Sequence, residues 1–259
     1  MLILLPPSEG KTAPESGPQL SMKSLSFPDL ARTRELVLGD LVSLCSGNQA
    51  RAATALGLGR TQLDLIAANA DLKKAPTASA INVYTGVLYE ALDFASLPAT
   101  ARKRADKRVA IASALFGLLR PSDPIPAYRL SGDTTLPRLG PLAKAWRDSI
   151  QSELSSTKGP ILDLRSGAYV KLGQLPPDTA HRGFLGRVLL EKSGKRSVVS
   201  HHNKATKGHL VRSVLGATSV PTSAKDVPDF LHDLGFRAEV REPKKESEPL
   251  GLDIIVYET

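Results

Sequence analysis

Residues 1–12 read MLILLPPSEGKT, an apolar run that meets two prolines and ends in Gly10-Lys11-Thr12. The continuous apolar stretch predicts a short strand buried on both faces, terminated by Pro6 and Pro7. Its ending looks like a phosphate loop, whose pattern is G-x-x-x-x-G-K-[ST]. The first glycine of that pattern would fall at position 5, which is Leu5, and neither proline carries an N–H for a phosphate. The stretch is therefore a strand followed by a stiff loop, and it is not an ATPase signature. Lys11 still needs an explanation.

Working outward, residues 6–28 form a long Pro-, Gly- and Ser-rich connection, a length that in a compact domain points to function or mobility. Pro28 suits a first helical turn, and Leu30, Val37, Leu38, Leu41, Val42 and Cys45 then share one helical face. Shorter helices are expected over 48–56 and up to about Asn69, over 83–95 after a turn, over 108–119, and from Pro141 through Trp146. Three prolines keep RPSDPIPAYRLSGD irregular. Beyond Gly159, PILDL, GRVLLE and RSVVSHH read as strands, followed by helices over 204–215 and 223–234. FRAEVRE and LDIIVYE close the chain as an antiparallel hairpin. Strands at both ends with helices between predict an α+β fold: a single domain over 1–259, with a mixed β-sheet and surrounding helices.

The chain has 34 Lys+Arg against 26 Asp+Glu, a net charge of +8, which favours a polyanionic partner. The charge is clustered. RKRADKR (102–108) holds five basic residues and one acid, and 192–212 holds six basic residues, three histidines and no acid. No apolar run reaches the roughly 20 residues of a membrane span, and the opening lacks a secretory signal's basic flank. A lone cysteine, Cys45, permits no internal disulfide, so a cytoplasmic location is expected and no membrane partner. Oligomeric state is not legible.

Leu56-Gly57-Leu58-Gly59 followed by Arg60 resembles a helix-hairpin-helix turn, whose glycines bring backbone N–H groups to a DNA phosphate. An ordinary helix-to-helix turn with a C-terminal glycine cap explains the same residues. RKRADKR is either a phosphate-contact patch or a solvated helix end. His201, His202 and His209 have no cysteine partner and no defensible ligand spacing, so no metal is expected. His201 and His202 suit a polar rim or a site lining. Cys45 lies on a helical apolar stripe and reads as structural. G-x-S-x-G and G-x-G-x-x-G are both absent, and no cofactor is called for.

Several blocks, in order, resemble the YaaA family of peroxide-stress proteins: MLILLPPSEGKT, VYTGVLYEAL (83–92), SALFGLLRPSDPIPAYRL (113–130), LDLRSGAYVKL (162–172) and KATKGHLVR (204–212). The chain departs from the family pattern in two extra residues, Glu9 and Gly10, in Asp163 for Asn, in Lys207 for Arg, and in its poorly matched 48–72 region. The resemblance implies a single mixed domain with a positively charged cleft. It also implies DNA binding with a helix-hairpin-helix, and protection from hydrogen peroxide by limiting free iron.

The matching positions are Lys11, Tyr84, Arg120, Asp123, Tyr128, Arg129, Ser166, Tyr169, Lys171, Lys204, Lys207 and Arg212. Their polar character predicts an anion cleft assembled from distant loops. Two functions stay open. The first is a DNA-binding stress protein that grips phosphates with Lys11, Arg120, Arg129, Lys204, Lys207 and Arg212, together with Gly57, Gly59 and Arg60. The second is an enzyme acting on a nucleotide or another small anion, with Tyr169 and Lys171 as acid and base and Ser166 as a positioning hydroxyl. In that case Asp163 or Glu9 is the carboxylate partner. Arg120 and Arg129 have a structural alternative, an ion pairing with Asp123 that holds their loop.

Overall fold

The computed structural model describes residues 1–198 and 200–257, with the backbone alone described for residues 200–202. The core is an eight-stranded sheet. Its strands are β1 (Leu2–Leu5), β2 (Val109–Ser113), β3 (Gly117–Leu119), β4 (Ile161–Asp163), β5 (Gly183–Lys192), β6 (Lys195–Ser197), β7 (Arg237–Arg241) and β8 (Leu250–Tyr257). Their order is β7-β8-β5-β4-β1-β2-β3, with β6 folded back on β5. The inner five strands are parallel, whereas β3, β6 and β7 run antiparallel to their neighbours. Helices α1 (Ala31–Cys45), α2 (Gln49–Leu56), α3 (Asp64–Ala70), α4 (Val87–Leu92), α5 (Ala99–Arg108), α6 (Leu142–Ser156), α7 (Gly167–Lys171), α8 (Ser200–Gly216) and α9 (Val227–Asp233) surround it. This is the α+β arrangement expected, and the C-terminal hairpin is present as β7 and β8.

β1 occupies the middle of the sheet, paired to β2 on one side and β4 on the other, and all four of its residues are buried. A strand covered on both faces must be apolar throughout, which is what MLILL supplies.

Residues 108–119 depart from the expected helix. They form β2 and β3, joined through Ala114–Phe116, with the Ser113 hydroxyl accepting the Phe116 N–H at 2.9 Å. Every residue from Val109 to Leu119 is buried, so the run carries no periodicity to separate strand from helix. Gly117 has a φ of +73°, and a Cβ there would lie 2.7 Å from the Trp146 ring of α6. Arg34 of α1, fully buried, clamps this hairpin by donating to the carbonyls of Phe116 and Leu118 at 2.9 and 2.8 Å. Of RSVVSHH, residues 196 and 197 lie in strand β6, and helix α8 begins at Ser200.

Candidate functional site

From β1 the chain moves to β2 on one side, and from β4 it moves to β5 on the other. Connections leaving two adjacent parallel strands in opposite directions open a crevice at their carboxyl ends, the usual ligand position in sheets of this kind. A cleft of about 600 Å³ lies there. Residues 6–10 after β1, residues 85–89 entering α4, Ser166 and Tyr169 after β4, and Val198, Asn203, Lys204 and Lys207 line it.

The loop after β1 is held by the segment before α4. Thr12 N–H donates to the Val83 carbonyl at 2.9 Å, Thr85 N–H donates to Ser8 Oγ at 2.9 Å, and Lys11 pairs with Tyr84 across an antiparallel bridge. Lys11 Nζ donates to the Ser8 carbonyl at 2.9 Å and reaches the Glu9 carbonyl at 3.3 Å. It stands 4.4 Å from the Tyr128 ring centroid and 5.5 Å from that of Tyr84. Its protons thus meet the loop's own carbonyls and two aromatic faces. Burial pushes its pKa down to about 8, against the opposing pull of Glu9. Lys11 turns the loop back on itself, and it does not line the cleft.

Four of the five tyrosines gather behind this loop. Tyr84 and Tyr128 share a hydrogen bond of 2.9 Å, and Tyr128 shares a second, of 2.8 Å, with Ser113 at the end of β2. Tyr89 stacks on Tyr84 with centroids 5.6 Å apart and donates to the Pro6 carbonyl at 2.8 Å. Burial raises the pKa of all four tyrosines, Tyr169 among them. They are neutral phenols at physiological pH, so Tyr169 can donate a proton but is not a ready base.

Beyond β4, Asp163 and Arg165 form a fully buried two-pronged pair, with Nε–Oδ1 at 2.9 Å and Nη2–Oδ2 at 2.7 Å. Arg165 also reaches the carbonyls of Tyr169 and Gly173, which fixes the turn into α7. That turn presents Ser166 and Tyr169 to the cleft. Lys171, at the end of α7, is exposed, stands 3.9 Å from Asp133 and does not line the cleft.

α8 supplies the cationic side. Lys204 is exposed at the cleft wall, whereas Lys207 is buried and donates to the Leu164 carbonyl at 2.8 Å. Burial pushes the Lys207 pKa down to about 8, with Asp163 opposing the shift. Asn203 Oδ1, also at the cleft, is buried with no hydrogen-bond partner among the described residues. Gly208 lets α8 approach α4: a Cβ there would lie 2.3 Å from the Leu88 carbonyl oxygen and 2.8 Å from Ala91 Cβ.

Other expected site residues fall elsewhere. Arg120 lies beside Met1 and Leu2 at the amino end of β1, stacks on Phe27 and donates to the Val109 carbonyl at 2.9 Å. The length of β1, about 13 Å, separates the two ends of that strand. Asp123 accepts the Arg120 main-chain N–H, not its guanidinium. Arg129 reaches the cleft rim, where it pairs with Glu9, and its Nε is buried without a partner among the described residues. Arg212 donates to the carbonyls of Leu92 and Asp93, closing the end of α4.

In RKRADKR, which forms much of α5, Arg104 and Arg108 donate to carbonyls of residues 214–218 and close the end of α8. Gly57, Gly59 and Arg60 are exposed in the turn after α2 and do not line the cleft. The Gly59 N–H is taken by Gln62 Oε1 at 3.2 Å. Among the described residues no three His, Cys, Asp or Glu side chains gather as a metal site; the side chains of His201 and His202 lie outside those residues. No helix of the described residues is long and apolar enough to cross a membrane.

Sequence reading missed Tyr89, Ser8, Asn203 and Gly208. Of these Gly208 carried a signal, because a glycine inside a helical pattern marks a close backbone approach. The family described as "Peroxide stress protein YaaA" matches residues 1–241. A UPF0246 protein of Streptomyces coelicolor is 43% identical over 260 residues, covering 100% of this chain and 99% of its own. A UPF0246 protein of Corynebacterium efficiens is 41% identical over 253 residues, covering 95% and 98%. With cover on that scale, the chain belongs to the YaaA family of peroxide-stress proteins.

Proposed function

We propose that this protein serves the peroxide-stress response through a small anionic ligand, of nucleotide size or less, bound in the cleft between β1 and β4. The observation that carries this reading is the cleft's lining at the carboxyl ends of parallel strands. Lys204 and Lys207 supply positive charge, and Thr85 and Ser166 supply hydroxyls. The volume, about 600 Å³, suits a small molecule and not a duplex. Several arginines that would otherwise grip phosphates, namely Arg104, Arg108, Arg120 and Arg212, bond to main-chain carbonyls instead.

A second reading, DNA binding, is favoured by the turn at residues 57–60, with Gly57, Gly59 and Arg60 exposed, and by the net charge of +8. One titration separates the two. Nucleoside mono- and diphosphates, pyrophosphate and duplex DNA are each measured against wild type, Lys204→Gln and Arg60→Gln over a salt series. The cleft reading expects saturable binding of a small anion, weakened roughly tenfold by Lys204→Gln and untouched by Arg60→Gln. Duplex binding that falls steeply with salt and with Arg60→Gln, with no small anion bound, overturns it in favour of DNA.

A further inference from the structure

We propose that Lys207 is the nucleophilic amine of the cleft, which condenses with the carbonyl group of an anionic aldehyde or 2-oxo acid to form an imine. The inference rests on the cleft reading above and adds the chemical class of its ligand. Lys207 is 7% exposed yet lines the cleft, and among the described residues its Nζ makes one hydrogen bond, to the Leu164 carbonyl. A carbonyl acceptor also takes a proton from a neutral amine, whose lone pair then remains free. No carboxylate among the described residues lies within ion-pair distance of Lys207. Asp163, whose charge favours the ammonium, is occupied on both oxygens by Arg165.

Lys11 shows the contrast, since its protons are engaged by two carbonyls and two aromatic faces. The surroundings of Lys207, with Leu88, Tyr89 and Val87 in the same cleft, disfavour its charge and bring its pKa down to about 8. A substantial neutral fraction then exists near physiological pH, as in lysines that form imines. Lys204, one helical turn earlier on the same wall, supplies the cation for the ligand's phosphate or carboxylate.

The chemistry balances without a redox partner. The Nζ lone pair attacks the carbonyl carbon, the C–N bond forms, and the carbonyl oxygen takes up a proton as the nitrogen loses one. Ser166, which lines the same cleft, is the hydroxyl assigned to pass that proton. The carbinolamine hydroxyl then takes up a proton from solvent and leaves as water, the resulting iminium nitrogen returns its last proton to solvent, and C=N remains.

The test uses the full chain with two probes, pyridoxal 5′-phosphate and glyoxylate, each followed by borohydride reduction and peptide mapping. The expected result is a reduced adduct concentrated on Lys207, competed by inorganic phosphate and lost from that peptide in Lys207→Arg. Lys204→Gln is expected to raise the probe concentration required by roughly tenfold. Wild-type mapping decides the matter even where a variant folds poorly. Adducts spread over exposed lysines, with Lys207 unlabelled, overturn the inference. If phosphate binding at the cleft is nonetheless measured by calorimetry, the cleft reading survives and the imine alone fails. If neither phosphate binding nor labelling occurs, both fail.

Discussion

Gly208→Ala tests whether α8, and with it both cleft lysines, is held by close contact with α4. The new Cβ would sit 2.3 Å from the Leu88 carbonyl oxygen, 2.8 Å from Ala91 Cβ and 2.8 Å from the Leu92 nitrogen. Two of these are main-chain atoms and the third is bonded directly to the main chain, so no rotamer change relieves the clash. The helices must part by about 1 Å, a close-packed interface that overpacking disturbs at a cost of about 1–3 kcal/mol. Against this, alanine gains about 1 kcal/mol of helix propensity over glycine.

The main-chain clash puts the cost at the upper end, leaving a net loss of about 1–2 kcal/mol. For a chain of this size that lowers Tm by roughly 3–6 °C. Gly39, inside α1, is the control, because a Cβ there meets nothing within 4 Å. Gly39→Ala is expected to raise stability by up to about 1 kcal/mol. Thermal unfolding of the two variants beside wild type is the assay. A Gly208→Ala protein as stable as wild type, or more so, refutes the claim that α8 is seated by contact across this glycine.

Asp163→Asn leaves Arg165 buried and unpaired, and urea denaturation is expected to show a loss of about 3–5 kcal/mol. Lys207→Met is expected to stabilise the protein by roughly 1–2 kcal/mol at pH 7, since relief of the buried charge exceeds the lost bond to Leu164. The sign follows from the lowered pKa. The penalty for folding with a charged Lys207 is full below about pH 8 and fades as pH rises toward 10.5, where the unfolded chain holds the extra proton. The advantage of the Met variant must therefore shrink over that window in pH-dependent melts. Small-anion affinity is expected to weaken as pH rises through about 8, read by calorimetry in buffered steps. Arg104→Gln with Arg108→Gln is expected to fray the end of α8, seen as faster amide exchange at residues 212–218, with the cleft's anion affinity preserved.

The parts of the fold that were legible are those with an unambiguous local pattern. MLILL, bounded by prolines, reads as a buried strand, and it is the middle strand of the sheet. FRAEVRE and LDIIVYE pair as expected within the described residues. Residues 109–119 failed because a run buried on every side has no amphipathic period, and its two short strands are separated by a turn that resembles helix in composition. In the cleft, Ser166, Tyr169, Lys204 and Lys207 were named from the sequence and stand together. Asn203 and Tyr89 were not, because nothing local separates a helical asparagine or tyrosine at a cleft wall from one in solvent or core.

By itself, then, the sequence determined the family, the α+β class, the buried central strand and the residue types available for an anion. It could not determine which cations face a ligand. Lys11 lies over Tyr128, Arg108 meets the end of α8, and Arg120 sits at the opposite end of β1 from the cleft. A guanidinium or ammonium binds a main-chain carbonyl as readily as a phosphate oxygen. Which of the two it meets depends on which chain segment packs opposite it, and only the tertiary structure brings together residues a hundred positions apart.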